Sequence, residues 1–299
     1  MTADNPQKNY DALFAELGLP ASSHRGIVDS EKTFDDGSHY AIEVSSVNNL
    51  SILDRVIAIS SEEGIRINRV DECRGISRLP QAEIKDMLGL CKEHDISLVL
   101  SSGPRAIYDT GGFVRSTNGS RMGYRLRGMD NLRYALDEIF YACDLGVRNF
   151  LIYDEGLLAV IDRLRLVGDL PKDITLKLSV HCGCSNPAAA QVYEQLGADS
   201  INLVPDLDLC MLSEIRQSIQ CPIDIFTDTA QEAGGFLLTH RVPDIIRYSA
   251  PVYLKVGAIS QPQQNYLPSE IEIVERMKQL SCVVEVINRK CRTAKQLNT

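Results

Sequence analysis

Short β-rich apolar runs alternate with longer amphipathic stretches along the chain. The runs cover 40–45, 65–70, 97–101, 149–153, 175–180, 200–204, 223–227 and 252–256. Between and after them, apolar positions recur at helical spacing over 49–63, 80–94, 130–145, 156–166, 187–196, 209–219, 242–248 and 268–280. Eight strand–helix units in about 250 residues predict a (β/α)8 TIM barrel, whose functional groups collect at the carboxyl-terminal ends of the strands. The punctuation agrees. Gly64, Gly146 and Gly197 each fall between a helix and a strand, where a left-handed cap is needed. Asn186-Pro187 reads as an N-cap followed by proline in the first turn. A doubly wound open sheet calls for a Gly-rich turn after the first strand. The segment YAIEVSSVNNL contains no glycine and argues against it.

The pattern divides the chain into an extension over 1–39, the barrel over 40–280 and a tail over 281–299. The extension holds one short helix near residues 10–17, and CVVEVI in the tail reads as an extra strand able to pair two copies into a homodimer. The connection 103–129 is longer than a simple loop and is expected to act as a lid or binding loop.

Strand alternation supplies candidate chemistry. A charge cannot sit beneath the helices without a partner, so polar positions mark the lumen side. This logic places Glu43, Asn68, Lys177, Ser179, His181, Asn202, Asp224, Lys255 and Gly257 inside. Glu43, Lys177, Asp224 and Lys255 form a catalytic candidate set, with Glu155 added from the exit of the fourth strand. Two readings of the inner four stay open: a structural ion-pair network, or a lysine of lowered pKa acting as base or imine-former beside carboxylates. Either lysine fits the second role. Arg69, Arg105, Arg125, His181, Asn186 and Asn202 are the substrate-binding candidates. The long loop also carries Arg115, Arg121 and Arg127, and planar guanidinium forks suit carboxylate or phosphate recognition. Asp154-Glu155 also reads as an N-cap with a first-turn acid.

Charge and composition then narrow the classes. The net charge is −9 and there is no Trp, which argues against a nucleic-acid partner. No apolar run approaches a membrane span and no apolar leader is seen, so a cytoplasmic protein is expected. The nine cysteines read as reduced thiols. They include no Cys-x-x-Cys pair, so no metal is assigned and the cofactor is left open.

Residues 185–216, SNPAAAQVYEQLGADSINLVPDLDLCMLSEIR, resemble the collagenase-like, U32-type peptidase family. There too a strand ends in Asn, a helix of similar pattern closes in Leu-Gly-Ala, and a strand leads into a Leu-rich helix start. The resemblance implies a TIM-like barrel, and a peptidase activity or a part in hydroxylating RNA or ubiquinone precursors. The chain departs from the pattern in carrying Asp206 where the family has Glu. IDIFTDTAQEAGGF also lacks the His and cysteines found there. The expectation is a U32-like barrel enzyme acting on a small or peptide-like anionic substrate. A U32-like peptidase and a non-catalytic barrel that binds a partner are the alternatives.

Overall fold

The computed structural model describes residues 10–20, 26–104, 113, 116, 119, 123–257, 259–262 and 266–298. Arg105, Arg115 and Arg121 lie outside the described residues.

Eight parallel strands close on one another in chain order. They are β1 (Tyr40–Val44), β2 (Arg69–Asp71), β3 (Ser97–Ser101), β4 (Asn149–Ile152), β5 (Thr175–Leu178), β6 (Ser200–Asn202), β7 (Ile223–Phe226) and β8 (Val252–Val256). Five register pairs, from Tyr40↔Val252 to Val44↔Val256, join β8 to β1. Among the described residues a short helix α1 (Tyr10–Glu16) precedes the barrel, and eight more surround it. These are α2 (Leu50–Glu62), α3 (Gln81–Glu93), α4 (Gly128–Asp144), α5 (Glu155–Val167), α6 (Pro187–Gln195), α7 (Leu209–Ser218), α8 (Val242–Ser249) and α9 (Glu270–Lys290).

The helix starts follow the residues available to cap them. Asn49, Asp154, Asn186 and Asp208 each accept a backbone N–H from the first turn of their helix. Ser269 and Glu272 form a reciprocal capping box on α9. Gly197 turns α6 into β6 at φ +99, and a side chain there would strike Asp162. The main core lies between strands and helices. Ile42, Val44, Phe150, Ile152, Leu176, Leu178, Leu254 and Val256 face outward against residues such as Leu53, Ile139, Ile161 and Met277. Their strand neighbours therefore face the lumen.

Three expectations are corrected. The second strand begins at Arg69 rather than 65, which puts Arg69 and Asp71 in the lumen instead of Asn68. The Asn68 side chain accepts from Ile42 N–H (3.0 Å) and donates to Leu297 O (2.9 Å) at the barrel rim. CVVEVI is helical: α9 runs past position 280 to Lys290 and buries Met277, Leu280, Val283 and Ile287 along one face. Strand addition through that segment is therefore removed as a route to a dimer.

Both flanking segments pack at the amino-terminal end of the barrel. In the extension, Ser30 N–H donates to Arg247 O (2.9 Å), and the Phe34 ring stands edge-on to Tyr253 (5.3 Å). Past α9, Leu297 N–H donates to Tyr40 O (2.8 Å). No described helix is long and apolar enough to cross a membrane.

Candidate active site

The lumen holds three acids and three bases, all buried: Glu43, Asp71 and Asp224 against Arg69, Lys177 and Lys255. Arg69 pairs with Glu43 and with Asp224, and Lys177 pairs closely with Glu43. Lys177 also reaches Asp71 (3.1 Å) and Asp224 (3.6 Å). Lys255 reaches Asp71 (2.5 Å) and Glu43 (3.0 Å). The Arg69 guanidinium lies over the Tyr253 ring at 3.3 Å.

The two lysines share acids yet are driven apart. Burial lowers Lys177 to about 7, and the neighbouring Lys255 and Arg69 add to the fall, outweighing Glu43 and Asp71. Burial also works against the charge on Lys255, but Asp71 and Glu43 prevail and raise it above the ordinary lysine value. Burial opposes ionisation of Glu43, and Arg69, Lys177 and Lys255 overcome it, holding that carboxyl below its usual range. Asp71 is likewise lowered, through Lys255 and Lys177, against burial. Pairs of groups pushed apart in this way are how one site presents a proton acceptor and a fixed cation together.

Above the β3–β4 side of this network sits a small apolar group of Cys73, Val99, Leu151 and Tyr153, with Tyr124 packed on it. The Tyr124 ring stacks on His181 (3.9 Å) and on Tyr153 (5.1 Å). Burial pushes the Cys73 and Cys182 thiols up to about 12, which leaves them protonated and poor nucleophiles at neutral pH. Arg125, from the long loop, pairs with Glu155 and donates to Tyr153 O (3.0 Å). The Tyr193 hydroxyl donates to Cys182 O (2.8 Å) and lies 3.3 Å from Glu155. Arg125 and Glu155 thus clasp the loop to α5.

The structure brings Glu43, Lys177, Asp224 and Lys255 into one network and adds Arg69, expected as a binding residue. Glu155 stands apart at the mouth. Asn186 is the exposed N-cap of α6, bonded by Ala189 N–H (2.9 Å). Asn202 is buried beside Asp224 in register, and its side-chain amide oxygen has no hydrogen-bond partner among the described residues. His181 sits in a turn after β5 rather than on the strand.

Asp71 joins the lumen set from β2, a place that strand alternation did not assign to it. Two further residues carried no sequence signal. Asp228 is buried and accepts from Gly257 N–H (2.8 Å) and Ile259 N–H (3.0 Å). Arg276 reaches in from α9 to donate to Ser45 O (2.6 Å). Among the described residues no group of three or more His, Cys, Asp or Glu is arranged to hold a metal ion.

No protein-family model matches the chain, and no curated protein matches it. Solved structures do. The native KDPGal structure matches at TM-score 0.50 and 7% identity, over 89% of this chain and all of that one (100%). The chain is a TIM barrel. The YdjI aldolase from Escherichia coli K12 matches at TM-score 0.49 and 14% identity, over 84% of this chain and 92% of its own. The U32 peptidase Mk0906 matches at TM-score 0.43 and 20% identity, over 69% and 73%. At these identities the likeness is one of fold.

Proposed function

We propose that this barrel is a distant U32-like enzyme that moves a proton on, or forms an imine with, a small anionic carbonyl compound. One observation carries the reading: two buried lysines share the same carboxylates, and only Lys177 is lowered, to about 7. An amine poised there exchanges its proton at neutral pH and is a nucleophile when neutral. Lys255 stays charged and stabilises negative charge that develops beside it. Arg125, His181, Asn186 and Asn202 are the proposed contacts to the substrate's anionic group, and Glu155 is the acid that orients Arg125. The U32 kinship is supported by residues 185–216, which form the capped helix α6 and the turn at Gly197 that the family pattern implies. A cysteine-peptidase reading is not favoured, since burial raises the Cys73 and Cys182 thiols near the mouth to about 12.

The stack of Tyr124 on Tyr153 and His181 over this buried apolar group places the chain's own side chains at the mouth, which supports a second reading, a barrel that binds a partner without chemistry. Deuterium exchange separates the two. A panel of small α-keto acids incubated in D2O is expected to exchange the C3 hydrogen beside the keto group for deuterium in the presence of the protein, and Lys177→Met is expected to abolish that exchange while the chain stays folded. Absence of exchange across the panel by folded wild-type protein would sink the enzyme reading.

A further inference from the structure

We propose that the amino-terminal end of the barrel, opposite the mouth, carries a second site that binds a small molecule bearing one carboxylate, with Arg69 as the group that grips it. A cavity of about 210 Å³ opens among the strand starts and reaches Arg69 and Lys177. Its wall includes the hydroxyl-bearing residues Ser97, Thr175, Ser200 and Tyr253. That volume is below the range of drug-sized sites, which selects a ligand of a few carbons.

The donors are in place. A guanidinium has five N–H groups. Arg69 directs its Nε N–H to Glu43 and one Nη1 N–H to Ser200 Oγ (3.3 Å), and its buried Nη2 pairs with Asp224. The second Nη1 N–H is left to donate to a carboxylate. Tyr253 covers one face of the guanidinium at 3.3 Å and is itself braced by Phe34, so the group is held in a fixed plane. Ser200 accepts from Arg69, which leaves its own proton to donate. The acid at the rim, Asp199, is taken up by Arg165 (2.5 Å) and by Leu176 N–H (2.7 Å) and does not repel an incoming anion. Glu43 and Asp224 bond Arg69 and Lys177 alike, so occupancy of this site is transmitted to the lysine through shared carboxylates. The binding itself does not depend on the chemistry proposed for the opposite mouth.

Lactate serves as probe and lactamide as its neutral isostere, with binding followed by calorimetry. Arg69→Ala strips Glu43 and Asp224 of a partner and risks unfolding. Thr175→Trp, at the exposed rim, blocks the cavity instead, and Arg125→Ala marks the opposite mouth. The expected result is saturable lactate binding, weaker by about tenfold or more for lactamide and for Thr175→Trp, and unchanged in Arg125→Ala. Lactamide binding as tightly as lactate, wild-type affinity in Thr175→Trp, loss in Arg125→Ala, or no saturable binding of lactate would each overturn the proposal.

Discussion

Arg69 and Arg125 each pair with a carboxylate, one in the closed lumen and one at the mouth. Arg69 shares two acids with Lys177 and lies beneath a tyrosine ring, with almost no contact with water. Arg125 and Glu155 keep 26% and 34% of their side-chain surface exposed. Water and salt screen the second pair, whereas nothing replaces a lost partner in the first. The same contact therefore fixes the interior in one place and ties Arg125 to the start of α5 in the other.

The largest effect is expected in the lumen. Glu43→Gln leaves Arg69, Lys177 and Lys255 short of one negative charge and should cost about 3–5 kcal/mol, read from urea unfolding. Glu43→Gln combined with Lys177→Met should cost clearly less than the two single changes added together. Strict additivity would show that the six charges do not act as a unit.

The pH profile comes next. Glu43 and Asp71 are lowered in the fold, so the unfolded chain takes up protons first as pH falls below about 4, and stability drops with it. Lys177 is lowered to about 7, so above that pH the fold releases a proton that the unfolded chain keeps to about 10.4, and stability should rise across that window. Unfolding curves of Lys177→Met should lose the upper rise and keep the acid fall.

Asn186→Ala removes the N-cap of α6 and should cost about 1 kcal/mol by thermal melting. The smallest effect belongs to Arg125→Ala, about 1 kcal/mol or less and weaker still in high salt. A cost from Arg125→Ala equal to that of Glu43→Gln would erase the contrast between the two regions.

Most of the barrel was legible because its strands and helices differ in period and its caps are conventional residues. Alternation alone placed Glu43, Lys177, Asp224 and Lys255 inside, since the outward positions beside them are uniformly apolar. It failed at β2 by one residue. Ile65 and Ile67 extend the apolar run toward the amino end, and a slip of one reverses every side chain. That hid the lumen placement of Arg69 and Asp71, the residues that complete the charge balance. CVVEVI was misread because its β-branched residues suggest a strand, while the surface they bury follows the turns of α9. Asp228 and Arg276 were out of reach because their contacts join loops and helices far apart in sequence.

The ladder between β1 and β8 bears on how the molecule is made. Synthesis delivers Glu43, Arg69 and Asp71 first, then Lys177, then Asp224, and Lys255 last. Before β8 emerges, the growing interior carries one carboxylate in excess, and the β1 and β7 edges stand open. An unfinished chain thus has two separate reasons not to settle, an uncompensated buried charge and unpaired strand edges. The final strand removes both in one step, so closure of the sheet and balance of the buried charges arrive together.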